Sequence, residues 1–291
     1  MSDGSPASSG YGNAASKKRD HRSRLFRSTL TRIVPDCLDY SDATAARFSR
    51  GAETYLRLWA PVLRPHAVRL LDALPLADAR RVLDLGTGVG ALLPDIARAA
   101  PHASLVGVDI APGMLALAPK AVPVAAMDAA SLAFRPGTFD AALMVFVLFL
   151  LPEPIVALAE VRRALRAGGV LGIATWAGEP IFPALEIWFD ELASLGFPPA
   201  RWPTLTASEK DLSKLLASSG FTRTRTWSSP FLFHPDLESF VELRAGLGKV
   251  WLDALAPRAR SAFLERVRRR LSSLSADGFA NHAVILYAAA S

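Results

Sequence analysis

Val82-Leu83-Asp84-Leu85-Gly86-Thr87-Gly88-Val89-Gly90 is the stretch whose reading decides the fold. An apolar run leads into three glycines spaced by one residue, and residues 91–100 then read as a helix. Glycine lets a backbone turn sharply and come close to a ligand. The first N–H groups of the following helix have no partner within it, so they face whatever binds there. Dinucleotide-binding turns space their glycines as G-x-G-x-x-G. Here the spacing is G-x-G-x-G, and an acid, Asp84, stands two residues before the first glycine. A carboxylate at that point accepts hydrogen bonds from a ligand ammonium and repels a pyrophosphate.

Outward from this turn, short apolar runs alternate with helical segments. Arg81–Leu85, Ser104–Asp109, 122–126, 139–146 and 170–176 read as strands, and 112–118 and 154–166 as further helices between them. Gly168-Gly169 reads as the end of the last helix and the turn into the next strand. Such alternation implies βαβ units and a parallel sheet covered on both faces. Before it, residues 25–75 read as a helical cap, with apolar faces from Phe48, Tyr55, Leu58, Trp59, Leu63, Leu70 and Leu71, broken at Pro61 and Pro65. No internal repeat is visible.

Composition narrows the function classes. The chain has 291 residues, 51% of them hydrophobic, and a net charge of +6. Residues 1–32 hold seven Lys/Arg and two Asp, leaving 26 basic and 25 acidic groups in the rest, a balance of +1. The excess thus sits on a leader whose Gly/Ser/Ala-rich start, within 1–24, reads as a disordered basic tail. A near-neutral body argues against a nucleic-acid partner, which wants a continuous basic face. The arginines at 258, 260, 266, 268, 269 and 270 lie opposite an apolar stripe of Phe263, Val267, Leu271 and Leu274, so they read as a helix surface. The one cysteine, Cys37, cannot close an internal disulfide. No apolar run reaches the ~18 residues a membrane span needs, and no secretory signal opens the chain. A cytoplasmic protein is the expectation.

Two further acids extend the site. Asp109 ends the second strand and is placed to accept from both ribose hydroxyls of a nucleoside, as in other nucleotide-binding βαβ units. Its competing reading is the cap of the helix from Pro112. Asp128, in Met127-Asp128-Ala129, can accept from an adenine exocyclic amine, or is a plain loop carboxylate. S-adenosylmethionine joins an ammonium, a carboxylate and a sulfonium to adenosine and carries no phosphate, which fits Asp84.

Residues 82–90, Val108-Asp109, Met127-Asp128-Ala129, the run from Phe139-Asp140 and that from Glu160 to Gly169 follow one another in a recognisable order and spacing. In this the chain resembles the class I S-adenosylmethionine-dependent methyltransferases, over about residues 40–176. The likeness is to the small-molecule group that includes the ubiquinone and menaquinone C-methyltransferases. The resemblance implies a Rossmann-like α/β fold with seven mostly parallel strands, helices on both faces, and a reversed last strand between the fifth and sixth. It places the sixth strand at 220–229 and the seventh at 280–288. It implies that Asp84, Gly86, Thr87, Gly88 and Gly90 cradle the methionine part. Asp109 would hold the ribose, with Ile110 and Met114 beside the adenine and Asp128 and Ala129 at its edge. Met144 and Val145 would flank the cofactor, and Tyr55 and Trp59 would cap it or else be core aromatics.

The methyltransferase domain is expected over 76–291, with helical insertions at about 177–205 and 230–278 forming a lid. The first insertion is dense in apolar residues, among them Phe182, Leu185, Trp188, Phe189, Phe197 and Trp202. A small, mainly apolar acceptor suits such a lining, with Glu179, Glu186 and Asp190 as the polar candidates. Where many relatives carry a His pair after the fourth strand, this chain has Phe149-Leu150, so no general base can be named; His66 and His234 are the remaining histidines within reach. No cluster has metal-ligand spacing. A nicotinamide dehydrogenase is disfavoured by the glycine spacing and Asp84. A catalytically silent cofactor-binding or scaffold protein is the alternative from another class, and a panel of acceptors separates the two.

Overall fold

The computed structural model describes residues 40–197 and 206–291. The expected tail at 1–24, residues 25–39, Cys37 and Trp202 lie outside the described residues. One sheet holds seven strands in the order β3-β2-β1-β4-β5-β7-β6. They are β1 (Arg81–Leu85), β2 (Ser104–Asp109), β3 (Val124–Ala126), β4 (Phe139–Val145), β5 (Leu165–Trp176), β6 (Thr224–Phe233) and β7 (Asn281–Ala290). β1 to β5 pair in parallel, and β7 runs antiparallel between β5 and β6. This is the mostly parallel Rossmann-like sheet with a reversed last strand that the resemblance implies.

The helices are α1 (Tyr40–Thr54), α2 (Ala60–Asp72), α3 (Leu93–Ala99), α4 (Pro112–Leu115), α5 (Pro154–Ala164), α6 (Pro183–Ser194), α7 (Glu209–Ser218), α8 (Leu237–Leu247), α9 (Lys249–Leu252) and α10 (Pro257–Leu271). Side chains alternate across a strand, so each strand feeds two cores. Val82, Ala141 and Leu143 pack with Leu63, Ala67, Leu70 and Leu71 of α2 and Leu93 and Ile96 of α3. Their neighbours Leu83, Leu85, Ala142 and Met144 pack with Leu158 and Val161 of α5 and Leu212, Leu215 and Leu216 of α7. Helices therefore cover both faces, which is why the central strands read as continuous apolar runs. A third core joins α6, α8, α9 and α10 around Trp188, Phe240, Leu252, Phe263 and Val267. Among the described residues no helix is long and apolar enough to cross a membrane.

Local departures from the sequence reading have physical causes. β3 starts two residues late because Pro123 has no N–H to donate. Its carbonyl still accepts from the Gly107 N–H at 3.0 Å. Gly168 and Gly169 do not end α5, which stops at Ala164. They lie inside β5, where the pairing jumps from Phe139↔Leu165 to Ala141↔Val170 and Gly168 takes φ +74°. Pro61 opens α2 rather than breaking it, and Pro65 sits within the helix. Burial of Leu63, Ala67, Leu70 and Leu71 outweighs the ~3 kcal/mol that an interior proline costs. The arginine-rich α10 does bury Phe263, Val267 and Leu271. Its arginines are not all merely solvated: Arg266 and Arg270 pair with Glu191 of α6 at 2.9 and 3.1 Å, and Arg260 and Arg268 pair with Asp253 and Glu238.

Candidate active site

The turn after β1 is shaped by what lies against it. Gly86 has φ +73°, and a Cβ there would come within 2.1 Å of Val147 Cγ2 beyond the end of β4. Only glycine passes. The N–H groups of Gly86 and Thr87 donate to Val108 O at 2.7 and 2.9 Å, and that of Gly88 donates to Asp109 Oδ2 at 2.9 Å. These donors are committed to β2. What the turn offers a ligand is an acid, not a ring of N–H groups.

That acid is Asp84, buried at the end of β1. Its Oδ2 and the neighbouring Thr87 Oγ1 are both buried with no hydrogen-bond partner. Burial pushes the Asp84 carboxyl up to about 6; the Thr87 hydroxyl opposes the shift and the Asp109 charge adds to it. A buried carboxylate oxygen left unpaired is costly, and a cationic donor is the partner its chemistry fits. Asp109 is also raised by burial, against the N–H groups of Ala111, Gly88 and Ile110 that stabilise its charge. It is not the helix cap: Ala111 holds that place in α4, and Asp109 Oδ1 accepts from the Ala111 N–H at 2.8 Å. Tyr55 faces both acids, and burial first, then the two negative charges, raise its pKa.

A large cavity opens beside this turn. Gly86, Gly88, Asp109, Ile110, Met114, Asp128, Ala129, Val145, Tyr55 and Trp59 all line it. Asp84 and Thr87 line a smaller cavity that shares Tyr55, Leu63, Gly86, Val145 and Phe146 with the first. Two residues expected with them stand elsewhere. Met144 is fully buried with Leu83 and Leu85 on the α5 side of the sheet, because strand alternation turns it away from its neighbour Val145. Gly90 lies beside Pro119 and Leu93, where a Cβ would approach Pro119 Cδ to 2.6 Å.

The N-terminal helices close one side. Tyr55–Trp59 form a π-helical turn between α1 and α2, a widening often found at functional sites. Trp59 packs edge-on to Phe233 at 5.4 Å. α1 is pinned over the cavity by hydrogen bonds from Ser41 Oγ to Asp128 Oδ2 and from the Gly113 N–H to Ser49 Oγ, both 3.0 Å. Phe146, at the end of β4, holds φ +57°. A non-glycine residue there costs ~1–3 kcal/mol and marks functional sites more often than others.

The rest of the cavity's lining is largely aromatic and aliphatic, with Phe149, Leu150, Phe182, Leu185, Phe189, Phe197, Phe233, Phe240 and Trp251. Trp188 is not among them. It is fully buried and packs edge-on to Phe263 at 5.2 Å, inside the core of the helical insertions. No histidine lines the cavity among the described residues. His66 packs on the Phe231 ring and His234 Nε2 bonds Ala276 O at 2.6 Å. Of the polar candidates, Glu179 lines the cavity, whereas Asp190 pairs with Arg270. Two charged residues there were missed from the sequence, Arg47 and Arg244. The signal for Arg244 was present: it sits at the i+4 place of an otherwise apolar helical stripe, Phe240, Leu243 and Leu247.

Residues 83–173 match the family described as a methyltransferase domain. Trans-aconitate 2-methyltransferase of Methylobacterium nodulans is 31% identical over 249 residues, 78% of this chain and 92% of that protein. The ubiquinone/menaquinone biosynthesis C-methyltransferase of Syntrophotalea carbinolica is 38% identical over 119 residues, 38% of this chain and 50% of that protein. Against several curated relatives the chain spans about half of their length. Phosphoethanolamine N-methyltransferase 2 of Haemonchus contortus, solved with phosphomonomethylethanolamine and S-adenosylhomocysteine, shares the fold. Its TM-score is 0.55 at 18% identity, over 88% of this chain and 61% of that one. With the glycine turn, the sheet order and a full-length relative in agreement, the chain belongs to the S-adenosylmethionine-dependent methyltransferases.

Proposed function

We propose that this protein transfers a methyl group from S-adenosylmethionine to a small, mainly apolar acceptor, by O- or C-methylation. The observation that carries this reading is a cavity lined by two chemically different sets of residues. Asp109 and Asp128 line it with Tyr55, Asp84 with its unpaired Oδ2 lines the smaller cavity that adjoins it, and aromatic side chains make up much of the remaining lining. In this reading Asp84 and Thr87 take the ligand ammonium, and Gly86 and Gly88 allow its close approach. Asp109 takes the ribose. Asp128 and Ala129 meet the adenine edge, with Ile110, Met114 and Val145 against the ring system and Tyr55 and Trp59 above. Gly90 and Met144 support the turn and the sheet from behind. The domain from 76 to 291 supplies all of these but Tyr55 and Trp59, which come from the N-terminal helical cap, and α6 with α8–α10 roofs the acceptor end as a lid.

S-adenosylmethionine supplies the methyl group on a sulfonium, and methyl transfer leaves a neutral thioether that needs no proton; an O–H or C–H acceptor gives up its own proton to solvent on ionising, and an acceptor that arrives as an anion has none to lose. The chain's own task is then to hold two reactants in line and exclude water. Such positioning is worth ~7–11 kcal/mol of barrier. The names of the relatives, a trans-aconitate and a quinone-pathway enzyme, support small acceptors. Among the described residues no group of three or more His, Cys, Asp or Glu is placed to hold a metal ion.

The test is transfer of labelled methyl to a panel of quinols, phenols and apolar carboxylic acids, with and without EDTA. The expected result is turnover on an apolar acceptor at a rate EDTA leaves unchanged. A metal requirement, or turnover confined to nucleic acid or polar amino acids, contradicts the acceptor assignment. Cofactor binding with no transfer to any acceptor favours the silent scaffold.

A further inference from the structure

We infer that the acceptor carries an anionic oxygen group, such as a carboxylate, beside its apolar body, and that Arg244 receives it. The inference rests on the cavity being the acceptor site of a methyltransferase and names the chemistry that site selects. α8 turns Phe240, Leu243, Arg244 and Leu247 toward the cavity. Three of these are what an apolar pocket wants; the fourth is a full positive charge. The Arg244 guanidinium lies over the Phe189 ring of α6, 5.3 Å from its centroid, and its Nε is buried with no hydrogen-bond partner. The side chain as a whole is half-buried, but a guanidinium N–H taken out of water without a partner is costly.

Arg47 of α1 lines the same cavity, its guanidinium 5.2 Å from the Trp251 ring. Burial first, and then the like charge of Arg47, lower the Arg244 pKa to about 9, with only Glu179 opposing. Arg244 still holds its proton at neutral pH. Among the described residues Arg47 and Arg244 are the basic groups that line the cavity, while Asp109 and Asp128 line it with Tyr55 and Trp59. A planar guanidinium presents paired donors that match a carboxylate. An aromatic or aliphatic acid entering here satisfies the buried donor and fills the Phe-lined space together.

The test is calorimetric titration of the protein saturated with S-adenosylhomocysteine. The probes are 2-naphthoate, 3-phenylpropanoate and decanoate, each against its own primary amide. At least one acid is expected to bind ten-fold or more tightly than its amide. Arg244→Gln should erase that preference while the Kd for S-adenosylhomocysteine stays within two-fold. Amides that match their acids in every pair overturn the inference, as does a preference that survives in Arg244→Gln. The comparison of acids with amides in the unaltered protein stands even if the variant fails to fold. Failure of S-adenosylhomocysteine to bind the unaltered protein, measured first, is a different result and strikes the cofactor reading.

Discussion

Asp84→Asn is expected to weaken S-adenosylmethionine binding by about 10²-fold to several 10³-fold, since breaking a buried charge pair costs ~3–5 kcal/mol. The same variant should melt no lower than the parent when unliganded at pH 7. The two outcomes belong together. In the free protein the carboxylate is buried with Oδ2 unpartnered and its pKa stands at about 6 against an ordinary 3.8. The folded state thus holds the proton more tightly than the unfolded one. The contribution of Asp84 to the stability of the free protein therefore falls as pH rises from about 4 to about 6 and is level above, a loss of roughly 3 kcal/mol by linkage. Asparagine does not titrate, so this slope should vanish in the variant. A bound ammonium favours the carboxylate form, so cofactor affinity should rise with pH through about 6 and then level off. Thermal melts from pH 4 to 8, with calorimetric Kd values, check all of this. Unchanged affinity in Asp84→Asn, or a collapse in its unliganded stability, would show that Asp84 is structural.

Trp188→Ala should cost ~3–5 kcal/mol of stability, as large-to-small changes in a packed aromatic core do, and should loosen the helical insertions as a unit. Phe182→Ala should leave the melting temperature nearly unchanged and raise the acceptor KM. The two residues share a segment and a chemistry, and the sequence reading assigned both to the acceptor. Trp188 instead lies fully buried against Phe263, whereas Phe182 lines the cavity. Chemical denaturation of both variants beside their acceptor KM values checks the split. Equal KM effects with equal stability would return Trp188 to the pocket.

This contrast shows what a sequence makes legible here. β1 and β2 were readable to the residue, because strands buried on both faces are continuous apolar runs ended by glycine or acid. The acids at 84, 109 and 128 were readable because they stand at strand ends, which the topology delivers to one edge of the sheet. Facing was harder. Met144 and Val145 are neighbours in sequence and opposites in space, and only the pairing of β4 with β1 and β5 decides which one meets the cavity. The bulge at Gly168-Gly169 looked like a helix end because glycine serves both purposes. The insertions were least legible. Their helices pack on one another, so an apolar stripe alone does not say whether it faces the cavity or its partner helix. Arg244 breaks such a stripe, and the break itself points into the cavity.

Calorimetric titration of the unaltered protein with S-adenosylmethionine, and separately with NADH, tests the central claim most directly. The account predicts one S-adenosylmethionine bound per chain and no NADH. Binding of NADH with none of S-adenosylmethionine would contradict it.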